Sequence, residues 1–387
     1  MSDNVTNLNV RSAKKTLGRV FLLLLVIVLV CGAVALFVFR DSWNLDTIRR
    51  SIRYLDVTDN AEPGKFSFDA HNYNQYAAYG DGMAVSSITG LNTYDKNGAE
   101  EAVIQLQQTA PSIRSAGKYV LAFDVGGTGF CEAKVNLGEV LTEQTERPIL
   151  DADLAPDGCV ACSASESGFK SVLYVYSSQQ QLIYRWLSSS QYLPLCAVQK
   201  GGKHMAAVGL GQKEGMFESS LLLFDTQQED IENSRSLGNE LICDVGFVSD
   251  DTICCVGQSQ CFWYDLSLNR VGRYGYGGAY LQDFDLSGSG FVTLVMNQYQ
   301  AGNRCSVLTV DASGTVLGEA AYEKQILDIS VCGRYVAVLT DAGLDIYDSQ
   351  MRIYDASENT DRANRVLMRN DGTAILISGG KGSLYIP

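Results

Sequence analysis

A strand–turn–strand unit that recurs along the chain constrains its fold more than any other feature of the sequence. The clearest copy is Gln325–Tyr354, where apolar and polar residues alternate in three short stretches. Such alternation is typical of strands that bury one face. The stretches are separated by CGR at 332–334 and DAG at 341–343, which are residue types of tight turns. The unit therefore predicts three consecutive antiparallel strands.

Variants of this unit fill most of the sequence after residue 70. A turn such as LAPDG before Cys159 or MRNDG before Thr373 precedes an apolar run, and the next strand often ends in an aromatic residue followed by aspartate. A weaker fourth strand closes most units. The spacing stays near forty residues, which is within the range of propeller blades. Eight units are predicted, and they start near Gln75, Ser112, Ile149, Leu193, Leu241, Tyr280, Gln325 and Arg365.

The last unit contains only three strands before the chain ends at Pro387. The segment KFSFD at 65–69 precedes the first unit and can supply the missing strand. Closing a ring with strands from both ends removes the open sheet edges that invite aggregation. We therefore predict an all-β domain over residues 65–387, a β-propeller with eight blades favoured and seven possible.

A membrane anchor is predicted ahead of this domain. Residues 1–19 form a polar tail with a basic cluster, and Val20–Phe39 carries no charged residue. This length suits a single transmembrane helix. A cleaved signal peptide is the alternative, but Leu36–Phe39 continues the apolar run where a cleaved signal would turn polar. Residues 40–64 are interpreted as a juxtamembrane helix and linker. The helix either lies on an anionic membrane surface, or forms a simple stalk or packs on the domain.

The orientation of the anchor follows from charge and length. The basic tail favours a cytoplasmic N-terminus, but an equal number of bases follows the helix at Arg40, Arg49, Arg50 and Arg53. A long C-terminal domain translocates largely regardless of its charge, and this decides the predicted orientation. We therefore expect a single-pass protein of the cell membrane with an extracytoplasmic domain.

The net charge of −14 opposes binding to phosphate backbones, so we predict no nucleic-acid partner. The eleven cysteines lie mostly in apolar runs, where they behave as small buried hydrophobic residues.

The sequence resembles known propeller families. Its spacing and PDG-type turns are similar to those of WD40-like and YVTN-like repeats, although the Gly-His and Trp-Asp signatures of true WD40 repeats are absent. The tail, the anchor, GLNTYDKNG at 90–98 and GKYVLAFDVGG at 117–127 resemble an uncharacterised family of single-pass membrane propellers from Gram-positive anaerobic bacteria. The resemblance covers nearly the whole chain. It implies the fold and the anchor, and the family has no assigned activity.

Several motifs suggest chemistry but fit a structural role better. FDVGGTGF at 123–130 resembles a phosphate loop, yet the alternating helices of that fold are missing, so a hairpin turn is expected. Cys159 and Cys162 resemble a zinc or redox pair, but residues i and i+3 of a strand point to opposite faces. The acidic repeat at 283–288 resembles a calcium loop without its bidentate acid. His204 is interpreted as a satisfied strand-edge histidine. We predict no catalytic residue set, no metal site and no cofactor.

The strongest binding signal is the segment YGYGGAY at 274–280. Tyrosine provides large amphipathic contact area at low entropic cost, and glycine lets a loop adapt. The segment falls between the outer strand of one predicted blade and the inner strand of the next. Tyr274, Tyr276 and Tyr280 are therefore the predicted ligand-binding residues; the alternative is a connector whose tyrosines cover blade edges.

These patterns favour a non-enzymatic, membrane-anchored binding or scaffold module that captures a protein, peptide or glycan at the cell surface. One alternative is an extracytoplasmic hydrolase with carboxylates at the propeller channel. Such an enzyme places two acids roughly 5–10 Å apart in a pocket. Another is the same propeller facing the cytoplasm as a scaffold.

Overall fold

The computed structural model describes residues 65–299 and 304–387, which belong to one compact unit over residues 61–387. The predicted tail, the predicted transmembrane helix Val20–Phe39 and the predicted juxtamembrane segment lie outside the described residues. Within the described ranges, no helix is both long enough and apolar enough to span a membrane.

The described residues form eight sheets of four antiparallel strands each. Along the chain, the outer strand of blade 8 comes first, and blades 1 to 7 and the rest of blade 8 follow in order. The strands are β1 Lys65–Ser67 in blade 8; β2 Gln75–Tyr79, β3 Gly82–Ser87, β4 Gly90–Tyr94 and β5 Glu100–Gln105 in blade 1; β6 Pro111–Ala116, β7 Tyr119–Asp124, β8 Gly129–Lys134 and β9 Gly138–Gln144 in blade 2; β10 Ile149–Leu154, β11 Val160–Glu166, β12 Phe169–Tyr176 and β13 Leu182–Ser188 in blade 3; β14 Tyr192–Val198, β15 His204–Lys213, β16 Met216–Asp225 and β17 Ile231–Gly238 in blade 4; β18 Ile242–Ser249, β19 Thr252–Gly257, β20 Gln260–Asp265 and β21 Arg270–Gly275 in blade 5; β22 Tyr280–Asp285, β23 Phe291–Asn297, β24 Cys305–Asp311 and β25 Val316–Tyr322 in blade 6; β26 Ile326–Cys332, β27 Tyr335–Thr340, β28 Gly343–Tyr347 and β29 Ile353–Ser357 in blade 7; and β30 Arg365–Met368, β31 Ala374–Ser378 and β32 Lys381–Tyr385 in blade 8.

The ring closes with strands from both ends of the domain, as the sequence predicted. β1 pairs antiparallel with β32, and Phe66 lies opposite Gly382. The Phe66 side chain is buried and meets the Tyr94 ring of blade 1 edge-on, at 6.4 Å between centroids. The prediction of an all-β propeller is therefore confirmed, and of the two blade numbers eight is correct.

The core lies between blades rather than at a single centre. Seven clusters of buried side chains each fill the gap between two consecutive blades, from blades 1 and 2 to blades 7 and 8. The middle strands are buried on both faces, and β7 and β23 have no exposed residue. Cys159 belongs to the cluster between blades 3 and 4, whereas Cys162 belongs to that between blades 2 and 3. The two side chains thus point into different gaps between blades, as the geometry of a strand predicts.

The aspartates that end the third strands have a structural role. In blade 5, Asp265 Oδ1 accepts hydrogen bonds from the backbone N–H groups of Ser267 and Asn269, at 2.9 and 2.8 Å. The carboxylate thus replaces backbone partners in the turn that leads to the outer strand. The same turn is built by Asp95, Asp311 and Asp348 in other blades. The recurrent aromatic-Asp pair is therefore a turn signal.

The outer strand carries a bulge in each of blades 1 to 7. Its pairing with the third strand skips one residue near its start, so one extra residue has no direct partner. The extra residues are Glu101, Val140, Ile183, Glu232, Val271, Leu317 and Tyr354. This bulge turns several aliphatic side chains on the rim of the ring towards solvent.

Candidate functional site

The two ends of the propeller differ in what they display. Because adjacent strands run antiparallel, one end contains the connections between blades and the hairpins that join second to third strands. The opposite end contains the other hairpins, the start of β1 at Lys65 and the end of β32 at Tyr385. We call this second end the terminal face.

Every aromatic side chain that is exposed among the described residues lies at the first end. These side chains come from blades 3, 4 and 6 and from the connection between blades 8 and 1. They are Tyr73, Phe169, Tyr192, Phe217, Tyr280 and Tyr299. We call the surface that they define the aromatic face.

The exposed side chains of the outer strands have a different chemistry. The large apolar residues exposed there are all aliphatic, for example Val271 and Ile353. Scattered aliphatic exposure is normal for a folded protein. Aromatic residues, in contrast, are enriched at protein interfaces and carry much of their binding energy. The segregation of aromatic side chains thus distinguishes the aromatic face from the rim.

The three predicted tyrosines have different environments. Tyr276 is 6% exposed, and its hydroxyl lies 2.9 Å from the Gly257 carbonyl oxygen and 3.1 Å from Cys261 Sγ. Tyr274 is half-buried with its ring centroid 6.2 Å from that of Tyr276. Tyr280 opens β22 and is 48% exposed. The Tyr276 hydroxyl thus holds this segment against blade 5, and Tyr280 displays most of the contact surface of the segment.

A long hairpin in blade 4 adds to the aromatic face. Its strands β15 and β16 have ten residues each, the longest among the described strands. Glu214 and Gly215 make the turn with positive φ angles of 53° and 79°. Met216 and Phe217 follow, at 68% and 40% exposure. The hairpin therefore presents an apolar tip whose methionine can adapt to a partner surface.

A polar cavity of about 390 Å³ lies at the channel mouth on the same end of the propeller. Its lining comes from the connection between blades 8 and 1 and from the first residues of inner strands, including Asn74, Tyr76 and Arg365. Asn74 Nδ2 donates to the Asp69 carbonyl oxygen at 2.8 Å, while no described group donates to Asn74 Oδ1. The cavity thus offers amide, phenol and guanidinium groups to a polar ligand.

The inner strands are linked across blades by aspartates. Asp151 Oδ2 accepts a hydrogen bond from Cys196 N–H, and Asp153 Oδ2 accepts one from Val198 N–H, both at 2.9 Å. The channel side of an inner strand has no neighbouring strand, so these carboxylates satisfy N–H groups that would otherwise lack a protein partner.

The same link joins blade 6 to blade 7 and blade 7 to blade 8. Asp285 Oδ2 accepts from Val331 N–H, and Asp328 Oδ2 accepts from Val366 N–H, each at 2.8 Å. Burial raises the pKa of Asp328 to about 7, although the Val366 N–H and the nearby Arg365 charge lower it. The acidic residues at 283–288, which resembled a calcium loop, thus belong in part to this link.

One arginine connects acids from separate blades inside the channel. Arg114 Nη2 of β6 lies 3.5 Å from Asp244 Oδ1 of β18 and 4.0 Å from Asp151 Oδ1 of β10. Burial raises the pKa of Asp151 to about 7, and the Arg114 charge opposes this effect. The carboxylates here have partners that hold them in place, which fits a structural role.

A second, shallower groove of about 250 Å³ lies between the outer parts of blades 4 and 5. It is lined by Arg235, Arg270 and Arg273 together with the buried rings of Phe262 and Tyr264. Guanidinium groups bind carboxylates and phosphates well. These three arginines are exposed, so water and salt weaken any such contact.

One group of potential metal ligands occurs within the described residues. His204, Asp225 and Glu232 bring one nitrogen and two carboxylate oxygens within 4.8 Å of one another on the terminal face of blade 4. Sequence reasoning missed this group because cross-strand pairing, rather than a motif, brings the residues together. The signal available was a histidine at the start of a second strand, opposite the aspartate that ends the third.

The glycine-rich segment that resembled a phosphate loop forms the hairpin between β7 and β8. Asp124 Oδ1, at its start, accepts hydrogen bonds from Thr109 N–H and Ala110 N–H at 2.8 and 2.7 Å. The segment therefore connects two strands of blade 2, as the hairpin interpretation predicted.

Comparison with known proteins places the chain in a family. A sequence model described as "Family of unknown function (DUF5711)" matches residues 64–379. The chain belongs to this family. No curated protein matches it in sequence.

Solved structures share the ring architecture. The chain is similar to BamB from Moraxella catarrhalis, with 14% identity and a TM-score of 0.51 over 84% of this chain and 97% of that one. It is also similar to the Dos1 propeller, with 11% identity and a TM-score of 0.56 over 84% and 94% of the two chains. At these identities the likeness concerns the fold alone.

Proposed function

We propose that this protein is a non-enzymatic binding module of the cell membrane that captures a protein, peptide or glycan on its aromatic face. The observation that carries the proposal is the confinement of all exposed aromatic side chains among the described residues to that face. The apolar tip of the blade 4 hairpin and the polar cavity at the channel mouth lie at the same end. Together they provide apolar contact area beside hydrogen-bonding groups, as partner-binding surfaces do.

The anchoring part of the proposal rests on the sequence. The charge-free run Val20–Phe39 supports a single-pass helix, and the basic tail supports a cytoplasmic N-terminus. The propeller is then extracytoplasmic. A membrane-impermeant amine reagent applied to intact cells should label exposed lysines such as Lys213 and Lys381. Protection of both until the cells are lysed would reverse the orientation and favour a cytoplasmic scaffold.

Position-specific photo-crosslinking tests the binding face. A photoreactive phenylalanine analogue replaces Tyr280 or Tyr192 on the aromatic face and, as matched exposed controls, Val271 or Ile353 on the rim. We expect discrete crosslinked species from the aromatic face only, and mass spectrometry then gives their chemical class. Equal crosslinking at the rim positions would refute a dedicated face. All four variants should melt within a few degrees of the wild type because the replaced side chains are exposed.

A hydrolase acting through channel carboxylates is a second candidate. Two observations on Asp328 favour this candidate. Burial raises the pKa of Asp328 to about 7, and Asp328 interacts electrostatically with the exposed Asp283. A raised carboxyl pKa suits a general acid near neutral pH. If this candidate is correct, Asp328→Asn should abolish turnover of a glycoside or ester substrate panel while the ring stays folded. Turnover by neither wild type nor variant supports the binding module.

A further inference from the structure

Blade 4 contains a cluster of one histidine and two acidic residues that the equivalent positions of blades 5 and 6 lack. His204 is the first residue of β15 and pairs directly with Asp225, the last residue of β16. Glu232 is the extra residue of the bulge in β17. Three adjacent strands therefore bring an imidazole and two carboxylates to one point of the terminal face.

The contacts of His204 determine which ring nitrogen carries the proton. Gln199 Oε1 lies 2.8 Å from His204 Nδ1 and 3.3 Å from the His204 backbone nitrogen. Gln199 Nε2 donates to the Asp250 carbonyl oxygen, which sets the orientation of the amide. Because Gln199 Oε1 can only accept, Nδ1 carries a proton. In the neutral ring, Nε2 then holds a lone pair and points towards the carboxylates.

This arrangement is typical of a histidine that binds a metal ion. Metal-ligating histidines donate their other ring N–H to an oxygen acceptor, which fixes the tautomer and the ring orientation. His204 Nε2 lies 3.7 Å from Glu232 Oε2. Ligands of a tetrahedral zinc ion lie about 3.3 Å apart. The three ligand atoms all lie within 4.8 Å of one another, and the exposed Glu232 can move closer to His204.

The two carboxylates suit this role in different ways. Asp225 is 7% exposed and is held in its turn, where Oδ1 accepts from Gln227 N–H at 2.9 Å and Oδ2 from Gln228 Nε2 at 3.3 Å. Each oxygen retains a lone pair for a cation. Glu232 approaches from the solvent side, so that side leaves room for water as a further ligand.

Other blades show what the same position contains without such a cluster. The residue paired with the turn aspartate is Thr252 in blade 5 and Phe291 in blade 6. Blade 1 has a glutamate, Glu101, at the bulge position of Glu232. Glu101 occupies the same place in its outer strand as Glu232 but lacks the histidine, so it provides a matched control.

We propose that His204, Asp225 and Glu232 bind a divalent transition-metal ion of the zinc type on the terminal face of blade 4. One imidazole nitrogen and two carboxylate oxygens suit such an ion better than Ca²⁺ or Mg²⁺, which prefer oxygen ligands alone. The site is independent of partner binding, because it lies at the opposite end of the β15–β16 hairpin from Met216 and Phe217.

Calorimetric titration of the chelator-treated full-length protein with Zn²⁺ tests the proposal, with Mg²⁺ titrated separately. We expect one Zn²⁺ per chain at this site, and Glu232→Gln and His204→Gln should each weaken its binding at least about tenfold. Glu101→Gln should leave it unchanged. Gln199→Leu should weaken it by roughly 10- to 100-fold, because the ring loses the acceptor that orients it. Co²⁺ substitution should give a visible absorption spectrum that Glu232→Gln alters.

Two results would overturn the proposal. One is a wild-type protein that binds no Zn²⁺ above the level of the His204→Gln variant, in which case the residues make polar contacts only. The other is Zn²⁺ binding that Glu232→Gln and Glu101→Gln leave equally unchanged, which moves the ion elsewhere, for example to thiols. Glu232 is exposed, so its replacement keeps the fold and the test does not depend on the buried histidine alone.

Discussion

Replacing Glu132 with glutamine should make the protein progressively more stable relative to wild type as the pH rises from 5 to 7. Glu132 lies in β8 and is completely buried, and no described group donates a hydrogen bond to either of its carboxyl oxygens. Its neighbours include Gly158 and the ring of Tyr119. Burial raises the pKa of Glu132 to about 8, although the nearby Lys134 charge lowers it.

The size of the effect follows from the two protonation states. The unfolded chain releases this proton near pH 4.5, whereas the folded protein keeps it up to about pH 8. Between these values the folded state binds more protons, so the free energy of unfolding falls as the pH rises. A shift of about 3.5 pH units corresponds to a ceiling of about 5 kcal/mol. Between pH 5 and pH 7 the expected loss is about 2.5 kcal/mol.

Urea unfolding of wild type and Glu132→Gln at pH 5, 6, 7 and 8, followed by tryptophan fluorescence, measures this loss. The buried amide adds a cost of its own, but that cost is the same at every pH and cancels in the trend. The stability of the variant relative to wild type should rise by about 2.5 kcal/mol from pH 5 to pH 7. The exposed Glu146→Gln should show no trend. A pH-independent difference for Glu132→Gln would refute the assignment of a neutral buried carboxyl.

Substitutions at four further positions test contacts within and between blades, each by chemical unfolding. Asp328→Ala should cost about 1–3 kcal/mol because the Val366 N–H loses its acceptor, and Asp328→Asn should cost less because its amide oxygen can still accept; equal costs would contradict the link. Tyr276→Phe should cost about 1 kcal/mol through its lost hydroxyl contacts, whereas Tyr280→Ala should stay within about 0.5 kcal/mol. Phe66→Ala should cost about 3–5 kcal/mol, since it empties the contact that closes the ring, and a value below 1 kcal/mol would place closure elsewhere.

The sequence predicts the ring well because its signals are local. Alternating apolar residues define each strand, and an aspartate such as Asp265 shapes its turn through N–H groups two and four residues away. The predicted unit starts at Gln75, Ile149 and Tyr280 coincide with the first residues of β2, β10 and β22. The pairing of β1 with β32 is distant in sequence, but it follows from the need to cover the last open edge.

Local sequence patterns do not predict contacts between residues of different blades. Asp151 meets Cys196 from the next blade, and Arg114 meets Asp244 from a blade farther along. No local pattern marks which acid accepts a hydrogen bond from which backbone N–H group. The sequence therefore predicts that carboxylates can line the channel, but it does not identify which aspartates or glutamates do so.

The exposure of the individual tyrosines in the segment YGYGGAY is likewise not predictable from the sequence. Tyr276 and Tyr280 are four residues apart, yet one is buried and the other half-exposed. Gly277 and Gly278 between them have positive φ angles of 62° and 93°, which lets the chain turn sharply. Tyr276 thereby stays with blade 5 while Tyr280 begins blade 6. Composition alone predicts aromatic contact area in this segment, but the turn decides which ring is displayed.

The direction of the closing strand determines which end of the ring is available to a partner. An outer strand runs from the terminal face towards the connections between blades. Because β1 supplies the outer strand of blade 8 from the N-terminal side, the chain arrives on the terminal face at Lys65. The last strand, β32, is a third strand and ends on that same face at Tyr385. Both ends of the propeller chain therefore lie opposite the aromatic face, so a tether attached at Lys65 need not cross the surface that we propose for binding.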